Sequence, residues 1–283
     1  MNLNPTTKPA FDRREFLITV AGVGFALAAQ PIMAQTAITT DSKGLVAGEV
    51  KIPVADGTMA AYRALPATGK YFPVVLVVSE IFGVHEWIAD ICRRLAKLGY
   101  LAIAPDLFAR HGDPRKLQDI QQILTDVIAK TPDSEVMSDL DATVVWAKAE
   151  GANTARLGIT GYCWGGRITW MYAAHNPQVK AGVAWYGRIK AETNAINPQH
   201  PIDIAANLKV PVLGLYGGLD QTISIDQVTE MRAALNKAHS KSEIHVYPHA
   251  DHGFLADYRP TYNKEAAKDG WQRLQDWFKK YGV

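Results

Sequence analysis

The fold is decided by the stretch Arg156-Leu-Gly-Ile-Thr-Gly161-Tyr-Cys163-Trp-Gly165-Gly-Arg167. Residues 156–160 predict a buried strand, and the residues from Arg167 onward predict a helix. The turn between them has the G-x-S-x-G pattern, with the sulfur of Cys163 in place of a serine oxygen. Gly161 and Gly165 are required because side chains two positions from the nucleophile would collide with the neighbouring strand and helix. The stretch therefore predicts a nucleophile at a strand-to-helix turn.

The helix N-terminus predicted beneath Cys163 favours a thiolate, since the helix dipole stabilises negative charge there. The alternative is a structural cysteine buried in a glycine-rich turn, because free cysteines are among the most buried residue types. The order of strand, turn and helix favours the nucleophile.

Strands and helices alternate along the rest of the chain. A hairpin is predicted over 49–55 and 59–65, around the turn signal Asp56-Gly57. The further strands are predicted at 73–78, 100–104, 156–160, 181–185, 210–216 and 243–247. The helices are predicted at 88–98, 137–149, from 167, at 224–238 and at 265–280. This alternation predicts an α/β fold with a mostly parallel central sheet flanked by helices on both faces, and ligands bind such sheets at the carboxyl ends of the strands.

The composition is that of an ordinary globular protein with a small-molecule partner. The chain has 283 residues, 48% of them hydrophobic and 20% charged, with a formal net charge of +2. These values exclude a disordered chain and a coiled coil, and a net charge this small does not indicate a basic surface that would bind nucleic acid. Two cysteines form neither a disulfide framework nor a zinc site. We expect a single domain over residues 46–283, with no metal and no cofactor.

Residues 1–35 are predicted to be an export leader rather than part of the fold. Arg13 and Arg14 precede an apolar run over 16–29, and Ala34 offers a small residue for cleavage. The segment resembles a twin-arginine signal peptide. The run of roughly 14 residues is shorter than the about 20 that span a bilayer, so we expect cleavage, no stable membrane anchor, and a periplasmic or secreted protein.

A thiolate nucleophile needs a base and an orienting acid, which in this fold follow it in the order acid, then histidine. Asp220 follows the strand at 210–216, and His252 follows the strand at 243–247. His249 is the rival base, but Gly253 beside His252 leaves the backbone there more freedom. The sequence therefore predicts Cys163, Asp220 and His252 as the catalytic residues.

Five segments in this order resemble the dienelactone hydrolase (carboxymethylenebutenolidase) family of the α/β-hydrolase superfamily. They are Ser79-Glu-Ile-Phe-Gly83, Ala104-Pro-Asp-Leu-Phe-Ala-Arg110, Gly161-Tyr-Cys-Trp-Gly-Gly166, Gly217-Gly-Leu-Asp220 and His249-Ala-Asp-His-Gly-Phe254. The resemblance implies a triad of Cys163, Asp220 and His252 that hydrolyses a lactone or small ester. It also implies that Glu80 pairs with the cysteine when substrate binds, and that the amides of Ile81 and Trp164 form the oxyanion hole.

The family holds its substrate carboxylate with two arginines. Arg110 matches the first, but Ala256 stands where the second belongs, and Arg259 is a candidate for compensating. With one arginine instead of two, a bidentate contact to carboxylate is weakened. The aromatic residues that are candidates for lining the acyl pocket, or alternatively for core packing, are Trp87, Tyr162, Trp185 and Tyr186.

Two other roles of the cysteines are compatible with the sequence. A non-hydrolytic thiol protein, either a redox sensor or a ligand-binding module, would also use a reactive thiol. Disulfide switching needs a resolving thiol, and the helical pattern at 88–98 buries Cys92. A structural disulfide between Cys92 and Cys163 would destroy the nucleophile.

Overall fold

A computed structural model describes residues 38–117 and 119–283 of the chain. The predicted leader and its cleavage site lie outside these residues. Within the described ranges, no helix combines the length and the apolar character that crossing a membrane requires.

One eight-stranded sheet forms the centre of the fold, in the order β1-β2-β4-β3-β5-β6-β7-β8. The strands are β1 (Leu45–Val54), β2 (Gly57–Pro66), β3 (Pro73–Val78), β4 (Leu101–Pro105), β5 (Asn153–Tyr162), β6 (Val179–Trp185), β7 (Val212–Gly217) and β8 (Glu243–Tyr247). The pairs β1–β2 and β2–β4 are antiparallel, and the other pairs are parallel. The predicted hairpin and mostly parallel sheet are confirmed.

Helices cover both faces of this sheet. They are α1 (Glu86–Lys97), α2 (Ile120–Asp126), α3 (Asp133–Ala149), α4 (Trp164–His175), α5 (Pro201–Ile204), α6 (Ile225–Lys237) and α7 (Lys264–Lys280). Along β3, Val74, Leu76 and Val78 join one core with α3, α4 and α6, whereas Val75 and Val77 join the other core with α1 and α7. Side chains of a strand alternate between faces, so a continuous apolar run such as β3 marks a strand buried on both sides.

The helix after the glycine turn begins earlier than predicted. It starts at Trp164 rather than at Arg167, because Cys163 occupies the N-cap position. The short helices α2 and α5 were not predicted, since seven and four residues are too few to show a helical period.

Candidate active site

Cys163 lies at the turn between β5 and α4 in a strained backbone conformation. Its φ of 56° is in the left-handed region, which non-glycine residues rarely adopt. The turn can be this tight only with glycine on both sides: a Cβ on Gly161 would lie 2.1 Å from the carbonyl oxygen of Gly165, and one on Gly165 would lie 2.3 Å from that of Val78. The Cys163 amide donates to the carbonyl of Trp185 over 3.0 Å. Strain of this kind persists only where the surroundings enforce it, and here it presents the sulfur above the N-terminus of α4.

Asp220 and His252 meet at the carboxyl edge of the sheet, beyond β7 and β8. His252 Nδ1 lies 2.8 Å from Asp220 Oδ2. The other carboxylate oxygen, Oδ1, accepts from the hydroxyl of Thr222 at 2.7 Å and from the amides of Thr222 at 2.8 Å and Ile223 at 3.1 Å. Burial opposes ionisation, but the charge of His252 and these hydrogen bonds lower the pKa of Asp220. The carboxylate is therefore fixed in position to orient the imidazole.

His252 is buried and also interacts with the thiol of Cys163. Burial lowers its pKa, but the charges of Cys163 and Asp220 outweigh burial and raise it to about 10. The ring therefore lies between a sulfur and a carboxylate that both favour its protonated form. His249, the rival base, is exposed. The structure thus brings His252, and not His249, to the predicted acid and nucleophile.

A cavity of about 100 Å³ opens at this point. Cys163, Ile81 and Trp164 all line it, so the two residues of the predicted oxyanion hole border the cavity beside the predicted nucleophile. The other lining residues are Leu124, Arg167, Tyr186, Arg188, Asn197, His200, Thr222, Ile223 and His252.

Glu80 is fully buried next to the site and is held by three side chains. Arg259 Nη2 lies 2.9 Å from its Oε1, and the Tyr258 hydroxyl donates to its Oε2. His85 Nε2 lies 3.6 Å from the same Oε2. Burial alone would raise the pKa of Glu80, but the Arg259 charge and the His85 and Tyr258 contacts lower it to about 2. Glu80 is therefore an ionised carboxylate paired with an arginine.

Comparison with known proteins identifies the family of this chain. A family model described as "Dienelactone hydrolase family" matches residues 59–282. The chain belongs to the dienelactone hydrolase family. It is therefore a carboxymethylenebutenolidase-like hydrolase, and its α/β-hydrolase fold is confirmed.

Relatives of high identity cover nearly the whole chain. It is 61% identical over 272 residues to a protein of Methylorubrum extorquens named "Putative carboxymethylenebutenolidase", covering 96% of this chain and 94% of that protein. A protein of Escherichia coli (strain K12) with the same name is 53% identical over 267 residues, covering 94% and 98%. A crystal structure titled as a "Putative Dienelactone Hydrolase" from Klebsiella pneumoniae is 54% identical with a TM-score of 0.82, covering 84% of this chain and 99% of that one.

Arg110 does not line the cavity of this family member, contrary to expectation. Its guanidinium lies 2.6 Å from both Asp56 and Asp139, which belong to the β1–β2 turn and to α3. Two carboxylates thus neutralise the arginine that was expected to hold substrate. Arg259 does not take over this role either, because it is paired with Glu80.

Two of the aromatic candidates also lie beneath the site rather than in it. Tyr162 packs edge-on to Trp87 in the core, with ring centroids 5.0 Å apart. The indole of Trp185 donates to the Thr160 hydroxyl over 3.1 Å. Both side chains are fully buried, and neither lines the cavity. Trp87 is buried and does not line the cavity either, so of the five candidates for substrate binding, Arg110 included, only Tyr186 does.

Sequence reasoning missed Arg188, which follows β6 by three residues. It lines the cavity, is exposed, and its guanidinium has no ion-pair or hydrogen-bond partner among the described residues. Arg167 also lines the cavity, but Asp133 holds it through two contacts of 2.6 and 2.7 Å. The rule that ligands bind just beyond parallel strands could have singled out Arg188.

Both cysteines are free, so the structure contains no bond between Cys92 and Cys163. Cys92 lies on α1 with no exposed surface, and burial raises the pKa of its thiol. Such a thiol is inert, since the thiolate is the reactive form.

Proposed function

We propose that this hydrolase cleaves a lactone or small carboxylic ester through an acyl-thioester on Cys163. The observation that carries the proposal is that Cys163 and His252 line one cavity, and that Asp220 lies behind His252 with the 2.8 Å contact that orients the imidazole. A nucleophile, a base and an acid in this order are the parts that covalent acyl transfer needs.

In the first half of the reaction, the sulfur of Cys163 attacks the substrate carbonyl. The Ile81 and Trp164 amides stabilise the negative charge that develops on the carbonyl oxygen. The tetrahedral intermediate collapses, the bond between the acyl carbon and the leaving oxygen breaks, and His252 gives its proton to that oxygen. Asp220 stabilises the imidazolium before this transfer.

In the second half, His252 takes a proton from water as the water attacks the thioester. Collapse of this second intermediate releases the carboxylic acid and restores the thiolate and the imidazolium. Glu80 enters the proposal as the acid that family resemblance pairs with the cysteine once substrate is bound. Until then its charge is balanced by Arg259.

The same proposal places the mature enzyme in the periplasm or outside the cell. The support is the Arg13-Arg14 pair ahead of a short apolar run in the sequence. The substrate is accordingly a small molecule that the enzyme meets after export.

Steady-state hydrolysis of p-nitrophenyl esters tests the catalytic assignment. Cys163→Ala should abolish turnover, and Cys163→Ser should be much slower because a hydroxyl needs a stronger base than a thiol. His252→Gln should reduce kcat far more than His249→Gln, which changes an exposed histidine on the same loop. Turnover retained by Cys163→Ala would overturn the proposal.

A further inference from the structure

The hydroxyl of Thr222 contacts both the predicted acid and the predicted base. Its Oγ1 donates to Asp220 Oδ1 over 2.7 Å and lies 3.2 Å from His252 Nδ1. The residue lies in the loop between β7 and α6, and it lines the catalytic cavity. The amides of Thr222 and Ile223 donate to the same Oδ1, so the position of the carboxylate does not depend on the hydroxyl alone. The hydroxyl is therefore available for a role towards the imidazole.

The hydrogen atoms of these three groups fit in one arrangement. The pKa of Asp220 is lowered by its partners, so its carboxylate is ionised and can only accept hydrogen bonds. A short bond to a charged oxygen is stronger than a longer bond to a neutral ring, so Thr222 keeps its proton on Asp220 Oδ1. Towards His252, the hydroxyl then offers only a lone pair. Nδ1 must therefore carry a hydrogen, which Asp220 Oδ2 at 2.8 Å and Thr222 Oγ1 at 3.2 Å both accept.

This closed ring of hydrogen bonds includes Nδ1 of His252 and leaves out Nε2. In a neutral imidazole one nitrogen carries a proton and the other a lone pair, and the hydrogen bond of one nitrogen decides which. With the proton on Nδ1, the lone pair is on Nε2. In the opposite tautomer, the lone pair of Nδ1 would face the Asp220 oxygen at 2.8 Å and the Thr222 oxygen at 3.2 Å. Two acceptors rather than one therefore disfavour that tautomer.

Nε2 is the nitrogen that remains for chemistry at the cavity. His252 lines the cavity and interacts with the thiol of Cys163. Since Nδ1 is engaged with Asp220 and Thr222, Nε2 is the nitrogen that serves the nucleophile. In the deacylation step proposed above, the same nitrogen must accept a proton from water. A neutral ring that carries its proton on Nε2 cannot do this.

We infer that Thr222 is a positioning residue that holds neutral His252 in the tautomer that deacylation needs. The inference rests on the function proposed above and adds to it a residue outside the triad. In this step the water oxygen bonds to the acyl carbon while one proton of the water moves to Nε2 of His252. The carbon–sulfur bond then breaks, its electron pair returns to Cys163 as the thiolate, and the second proton of the water leaves with the carboxylic acid. Nδ1 keeps its proton throughout, so the ring becomes an imidazolium that Asp220 and Thr222 both stabilise.

The test is Thr222→Val, which keeps the branched shape and the backbone amide but removes the hydroxyl. Rapid-quench mass measurements, with enzyme in excess over p-nitrophenyl acetate, follow the formation and the decay of the acetyl-enzyme separately. Because p-nitrophenolate leaves with little help from a proton donor, the rate of formation should be nearly unchanged. The rate of decay should fall about tenfold, the effect of losing one hydrogen bond in the step that needs the base.

Two further variants separate the effect of the hydroxyl from that of the rest of the side chain. Thr222→Ser keeps the hydroxyl, so its acetyl-enzyme should decay at close to the wild-type rate. Thr143→Val is the matched control, because this buried threonine of α3 donates its hydroxyl to the Asp139 carbonyl over 2.7 Å and does not line the cavity. It should lower the melting temperature and leave the formation and the decay of the acetyl-enzyme unchanged.

The inference is overturned if Thr222→Val leaves the decay unchanged, or if Thr222→Ser slows it equally, since the methyl group and not the hydroxyl would then matter. It is also overturned if Thr222→Val slows formation as much as decay, which is the pattern of a general structural defect. In each case the proposed function survives if the wild-type protein forms its acetyl-enzyme on Cys163. If Cys163→Ala still hydrolyses the ester, the proposed function fails and the role of Thr222 fails with it.

Discussion

Replacing Arg259 with methionine should reverse the effect of acid on stability. In the wild-type protein, Arg259 Nη2 lies 2.9 Å from a carboxylate oxygen of Glu80, and both side chains are almost completely buried. Arg259→Met keeps an unbranched side chain in place but removes the guanidinium. Glu80 is then left as a buried carboxylate without its counter-ion.

The pKa of Glu80 determines how much its ion pair contributes to the free energy of unfolding. Its decrease from the ordinary 4.5 to about 2 corresponds to about 3 kcal/mol of stability, since one pKa unit is worth about 1.4 kcal/mol. Because the folded-state pKa is the lower one, this contribution is complete above pH 4.5 and is lost as the pH falls towards 2. Without Arg259, burial raises the folded-state pKa above 4.5, so the variant gains stability as acid protonates Glu80. At pH 7 the variant should be less stable by about 3 to 5 kcal/mol.

Urea unfolding followed by tryptophan fluorescence, in steps from pH 7 to pH 3.5, measures this difference. The gap in free energy of unfolding between the two proteins should narrow steadily as the pH falls. Glu80→Gln/Arg259→Met is the control, because it has no carboxyl at position 80 and should not show the acid-dependent recovery. Parallel curves for wild type and Arg259→Met, separated by less than about 1 kcal/mol, would refute the buried ion pair.

Three other outcomes follow from the site and the leader. Arg188→Gln should lower kcat/KM about tenfold for an ester with a carboxylate on its acyl chain, because a charge-assisted contact is lost. The uncharged isostere of this ester should be unaffected, and an equal effect on both esters would show that Arg188 does not bind the substrate carboxylate. Arg110→Ala should lower the free energy of unfolding by about 1 to 2 kcal/mol in a denaturant titration, because Asp139 is left buried without its partner. A decrease in kcat/KM for the carboxylated ester alone would contradict this structural role. Replacement of Arg13 and Arg14 by lysine should leave the precursor in the cytoplasm in a cell-fractionation assay, whereas unimpaired export would exclude a twin-arginine signal.

The elements that could be predicted from sequence are those with a local cause. The strand-to-helix turn at Cys163 depends on glycines two residues away, and the continuous apolar run of β3 depends on burial from both faces. The meeting of Asp220 and His252 could be predicted because each lies shortly after a parallel strand, β7 ending at Gly217 and β8 at Tyr247. The order of strands and helices along the chain shows which residues come just after a parallel strand, and ligands bind at that edge of the sheet.

The partners of charged residues could not be predicted in this way. Arg110 is paired with residues 54 and 29 positions away, and the carboxylate of Glu80 contacts Tyr258, 178 positions later. Such pairings depend on how separate elements pack, which no local pattern encodes. For the same reason the sequence did not show that Tyr162 and Trp185 point into the core while Tyr186 faces the cavity.

The most direct test of the central assignment is the mass of the enzyme during turnover. Wild-type protein mixed with a p-nitrophenyl ester and quenched in acid should gain the mass of one acyl group. Peptide mapping should place that group on Cys163 and leave Cys92 unmodified, while Cys163→Ala should gain no mass. Hydrolysis at the wild-type rate with the acyl group on any other residue would contradict a cysteine nucleophile.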